Sequence, residues 1–146
     1  FDKLLNDKNV RKILLVRENS LRSFVSQQLA LQTGVWDRFS DDQTVVVPKL
    51  TIDIDKFKNY MRNVRLYLDH IRLVLEKLNQ SFLVLTYEEI SADFPTKRIS
   101  TFLETELINI SFNVEQKRQN PFRIQEIATN YNQIKSELDR LNLQII

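Results

Sequence analysis

Val10–Trp36 reads VRKILLVRENSLRSFVSQQLALQTGVW, and the change of pattern inside it decides the fold class. Its first seven residues, VRKILLV, are a short apolar run bounded by charge, and that length with β-branched residues predicts a buried strand. After Arg17 the spacing becomes helical, with Leu21, Phe24, Val25 and Leu29 in one stripe. Asn19 or Ser20 can cap a helix running to about Thr33. Gly34, the only glycine in the chain, stands where a left-handed residue closes a helix. Strand, charged turn and helix make half of a βαβ unit.

Working outward, Phe1–Leu5 reads as the last turn of a helix, and a start at Phe1 rather than Met leads us to expect that an upstream segment was lost or cut. Downstream, Thr44–Val47 is a short extended piece ended by Pro48. A long helix follows, with Ile54, Phe57, Met61, Val64, Leu68, Ile71, Leu75 and Leu78 in steps of three and four. Asp53 is its expected N-cap, and Ile52 is expected to staple onto Phe57. So regular a seam raises self-association as an alternative. Tyr60, Leu66, Tyr67, Leu73 and Val74 widen it into a face suited to packing on a sheet, which is the preferred reading.

Phe82–Leu85, FLVL, is a second buried strand, and Pro95 suits the first turn of a helix carrying Ile99, Phe102 and Leu103. Residues 106–119 read as loop with some short extended structure. A last helix is expected from Ile124 to about Leu141, on Ile127, Tyr131, Ile134, Leu138 and Leu141. Strands separated by helices predict an α/β fold of three layers around a parallel sheet.

The composition of the 146 residues narrows the function classes. Hydrophobic residues at 42% and charged residues at 27% fit a globular chain with a core, not a disordered one. No apolar run approaches the roughly 20 residues of a membrane span, and no secretory signal pattern opens the chain. No cysteine is present, so disulfides, thiolate metal sites and cysteine nucleophiles are excluded from these residues, in keeping with a cytoplasmic setting. A net charge of +2 permits an anionic ligand but does not call for nucleic acid.

Arg17 stands at the carboxyl end of the first strand, where open α/β sheets bind ligands. Asn19, Arg22 and Ser26 share a helical face opposite the apolar stripe. A guanidinium, a hydroxyl and a helix amino terminus converging there suit a phosphate. On spacing alone the commoner arrangement is Arg17 paired with an acid such as Glu18, with Arg22 and Ser26 solvated.

The run Ile13–Trp36 resembles the 3′-phosphate-binding segment of bacterial sulfotransferases related to the nodulation-factor and trehalose enzymes. The resemblance implies that Arg17 and Ser26 bind the 3′-phosphate of 3′-phosphoadenosine 5′-phosphosulfate. LVLTYEEI, Leu83–Ile90, is similar to the strand and Tyr-Glu-Asp that this family sets beside the adenine. It implies that Tyr87 lies against or near the base and that Glu88 fixes local structure, whereas Tyr87 taken singly reads nearly as well as a core tyrosine. KRQNPFRIQEIATNYNQIKSEL, Lys117–Leu138, resembles the family's closing segment and implies a second cation for the phosphate from Lys117 or Arg118; Arg118 fits the motif better.

The three segments follow the family's order over most of the chain. They imply that residues 1–146 are the carboxyl-terminal part of a single sulfotransferase domain. Its fold would be a three-layer, P-loop nucleoside-triphosphate-hydrolase-like parallel sheet flanked by helices, incomplete on its amino-terminal side. Such an enzyme moves a sulfuryl group to a hydroxyl or amine of a small-molecule or carbohydrate acceptor, without a metal. The sequence departs from the pattern at Glu104, where a glycine is usual, and in the extra residue of Asp93-Phe94-Pro95.

The Gly/Ser/Thr-rich loop that cradles the 5′-phosphosulfate in that family has no counterpart here, since Gly34 is at a helix end. His70, the one histidine, falls mid-helix beside the apolar seam, and Trp36 serves packing as readily as an acceptor pocket. No catalytic residue is assigned. The competing expectation is a helical interaction module forming a homodimer through the 54–78 seam.

Overall fold

The computed structural model describes residues 2–36, 47–105 and 123–140. In chain order the elements are α1 (Asp2–Asn6), β1 (Lys12–Val16), α2 (Ser20–Thr33), α3 (Ile54–Lys77), β2 (Phe82–Thr86), α4 (Tyr87–Ala92), α5 (Thr96–Leu103), α6 (Ile124–Ile127) and α7 (Tyr131–Arg140). They fall into two compact units: Phe1–Glu18 with Arg62–Ser111, and Asn19–Met61 with Phe112–Ile146. The result is a mixed α/β chain whose described sheet has two parallel strands. No helix among the described residues is long and apolar enough to cross a membrane.

In the first unit β1 and β2 pair in register from Lys12↔Phe82 to Val16↔Thr86. Parallel strands need a long crossover, and α2 and α3 lie between them in sequence. Leu5, Ile71 and Leu75 are buried, with Leu14, Val74 and Phe82 packed against them. Lys12 is also buried, only 6% exposed. Its Nζ donates to the Asp7 carbonyl and to Gln80 Oε1, while Gln80 Nε2 donates to Leu5 O at 2.6 Å. The lysine thus satisfies the Asp7 carbonyl just past the end of α1 and holds Gln80, which caps Leu5 O; a cation there suits the helix dipole.

The expectation of a buried first strand needs correction. Ile13 is 40% exposed and Leu15 57%. Strand side chains alternate between faces, and in β1 it is the face bearing Lys12, Leu14 and Val16 that is covered to a greater degree. The widened face of α3 is buried only in part: Tyr60 and Val74 pack against buried residues, whereas Leu66, Tyr67 and Leu73 are exposed, and His70 is exposed too. At α5 the helix begins at Thr96 with Pro95 as its cap, and Ile99 is buried. Glu104 closes it at φ 55°, ψ 40°, the left-handed conformation that makes glycine usual at such a position.

The second unit is built on α2. Asn19 Oδ1 accepts the Arg22 N–H at 2.8 Å, and Gly34, at φ 73°, closes the helix by donating to Ala30 O at 2.8 Å. The stripe Leu21, Phe24, Val25 and Leu29 is buried with Ile52, Phe57, Ile124, Ile127, Ile134 and Leu138. Phe24 meets the rings of Phe57 and Tyr60 at 5.4 and 5.3 Å, tilted as aromatic quadrupoles favour. Asp53 Oδ1 accepts the Asp55 and Lys56 N–H groups, both at 3.0 Å, capping α3 as its spacing predicted.

The single closing helix is instead two. Ile127 O accepts the Leu50 N–H at 3.0 Å, and the Thr129 N–H donates to Leu50 O at 2.8 Å, forming a parallel bridge between Leu50 and Ala128. Those backbone groups are therefore taken from the helical ladder. Val47 is not in a strand, and the rest of the expected extended piece, residues 44–46, lies outside the described residues.

Candidate functional site

Because β1 and β2 are parallel and in register, their chains leave the sheet side by side at Val16 and Thr86. The next residues are Arg17 and Tyr87. The guanidinium carbon of Arg17 lies 4.5 Å from the Tyr87 ring centroid, over its face, a stacking geometry attractive to a cation. Arg17 Nε is buried and has no hydrogen-bond partner among the described residues. A buried donor without an acceptor is rare enough to require a reason.

β2 passes directly into α4, and the junction is closed by hydrogen bonds. Thr86 Oγ1 accepts the Glu89 N–H at 3.0 Å and the Glu89 carboxylate accepts the Thr86 N–H at 3.2 Å, a reciprocal capping box at the start of α4. Glu89 also pairs with Arg98 of α5, whose second nitrogen donates to Val84 O at 3.1 Å. Between these anchors, Glu88 Oε2 accepts the Glu18 N–H at 3.1 Å. One short turn therefore sets Tyr87 against Arg17 while its neighbours tie it to β1 and α5.

Arg17 and Tyr87, two of the expected site residues, are thus brought together in the first unit. Ser26 belongs to the second unit, half-buried on α2. Lys117 and Arg118 lie outside the described residues. Asn19, grouped with Ser26 by spacing, uses its side-chain oxygen as the α2 cap. Trp36 is exposed. Among the described residues no cluster of His, Asp and Glu could hold a metal ion.

Two features escaped the sequence reading. The Thr86-x-x-Glu89 box was visible as a pattern. The bracing by Arg98 had no local signal, because it joins α5 to a strand carbonyl 14 residues away.

Chemically, the arrangement offers a stacked, pre-oriented guanidinium, with a donor that has no partner among the described residues, at the carboxyl ends of parallel strands. That suits a phosphate or carboxylate oxygen better than a neutral ligand. Comparison with known proteins finds no matching family model, no similar curated protein and no similar solved structure.

Proposed function

We propose that this chain is the carboxyl-terminal part of a sulfotransferase domain and holds the 3′-phosphoadenosine end of 3′-phosphoadenosine 5′-phosphosulfate. In this reading the two-stranded sheet belongs to a three-layer, P-loop-like parallel fold in the cytoplasm. One observation carries it: the guanidinium over Tyr87, with Nε buried and unpartnered among the described residues, at the carboxyl ends of β1 and β2. Arg17 supplies the planar fork for the 3′-phosphate. Tyr87, half-buried, lies against or near the adenine.

The reaction is an in-line displacement. A hydroxyl or amine of a small-molecule or carbohydrate acceptor forms a bond to sulfur as the bond to the bridging oxygen breaks, and the acceptor proton passes to a base. Stabilising charge on that oxygen is the task of a Gly/Ser/Thr-rich loop of a kind this sequence does not contain. Residues 1–146 alone are therefore expected to bind nucleotide poorly and to transfer no sulfate.

Calorimetry with 3′,5′-adenosine bisphosphate tests the reading. The chain should bind it, and Arg17→Ala should weaken binding by roughly 10- to 100-fold, the effect of losing charged hydrogen bonds. Unchanged affinity would remove Arg17 from the site. A dimer through the 54–78 seam has less to draw on, since Phe57, Ile71 and Leu75 are already buried within the chain.

A further inference from the structure

We infer that Glu88 is a positioning residue that holds Arg17 in its anion-binding pose, an inference that rests on Arg17 being the phosphate ligand. The Glu18 N–H belongs to the peptide plane immediately after the Arg17 Cα, and Glu88 Oε2 accepts it at 3.1 Å. That bond anchors the Arg17 backbone, on its carboxyl side, to the turn that carries Tyr87. Arg17 is the first residue beyond the strand, so the sheet ladder does not define its ψ.

The acceptor is itself well placed. Glu88 is the second residue of α4, one after Tyr87, and the Thr86–Glu89 capping box holds that turn. The Glu89–Arg98 pair and the bond from Arg98 to Val84 O brace it further. Glu88 therefore couples the Arg17 backbone to the same turn that presents Tyr87, so cation and ring keep their 4.5 Å spacing together. A carboxylate accepts a backbone N–H strongly, while a glutamine in its place would still offer a carbonyl oxygen of the same reach.

The test reads the arginine directly. In proton–nitrogen spectra of the whole chain, the Arg17 Nε–H should be displaced upfield by the Tyr87 ring current, and Tyr87→Leu should abolish that displacement and so identify the signal. Glu88→Gln should retain it, and Glu88→Ala should move it to the position of exposed arginines. Affinity for 3′,5′-adenosine bisphosphate should fall roughly tenfold in Glu88→Ala and recover in Glu88→Gln, the scale of one charged hydrogen bond. In the native chain the Glu18 amide should exchange slowly with deuterium, a measurement independent of whether a variant folds.

An unshifted Arg17 signal in Glu88→Ala, or rapid exchange of the Glu18 amide, overturns the inference. Native binding that Arg17→Ala weakens and Glu88→Ala does not would overturn it too, while leaving the nucleotide reading intact. A native chain that ignores the nucleotide would sink that reading, and the ring-current and exchange results would still decide the role of Glu88.

Discussion

Asn130 grips both backbone groups of Ile52: its Oδ1 accepts the Ile52 N–H at 2.9 Å and its Nδ2 donates to Ile52 O at 2.8 Å. A side-chain amide thereby completes the pairing begun by Leu50 and Ala128, at the point where α6 gives way to α7. It also places Ile52 in the core beside Phe57.

Asn130→Ala would leave two half-buried backbone groups without partners and should destabilise the second unit by about 1–3 kcal/mol. Asn130→Asp keeps the acceptor and loses the donor, so it should fall between. Urea denaturation followed by circular dichroism checks the order.

Glu137 accepts from Arg140 Nη2 at 2.7 Å and Nε at 3.0 Å, and from Lys58. These hydrogen bonds, first from Arg140 and then from Lys58, lower its pKa from 4.5 to about 2. A depressed folded-state pKa gives stability that is present above the ordinary value and lost as pH falls through the folded one. The stability difference between the native chain and Glu137→Gln should therefore be constant above pH 4.5 and shrink towards pH 2. Added salt should reduce it throughout. Thermal melts across that range, with and without salt, would show a constant difference if the pairing contributes nothing.

Glu104 adopts φ 55° while pairing with Arg11. Comparing variants in an Arg11→Ala background removes the pair from both sides. There Glu104→Gly should stabilise by about 1 kcal/mol, the cost of left-handed backbone for a residue with a Cβ. An unchanged melting temperature would contradict the strain.

Leu73 and Leu75 stand two residues apart on α3, one exposed and the other fully buried. Leu75→Ala should cost about 2–5 kcal/mol through lost burial and the cavity left behind. Leu73→Ala should stay within about 0.5 kcal/mol, as surface changes usually do. Equal effects would mean that the outer face of α3 is covered.

Much of the local structure could be read without coordinates. Asn19, Gly34 and Asp53 act where their spacing placed them, and Leu21, Phe24, Val25 and Leu29 all turn inward. The site was readable only in part: Arg17 at a strand end was visible, but its contact with Tyr87 follows from the pairing of Val16 with Thr86. Exposure of Ile13 and Leu15 was not readable, because a strand apolar on both faces has the same pattern whether one face or two are covered.

Caps, helix stripes and breaks depend on residues three or four apart, whose distances the backbone itself imposes, and the 146 residues specify these directly. The division of the last helix by Leu50, the grip of Asn130 on Ile52 and the hold of Glu88 on Glu18 join segments about 70 to 80 residues apart. No local preference encodes such contacts. They exist because strand register and core packing bring particular donors and acceptors within hydrogen-bond reach, and the folded chain alone supplies that proximity.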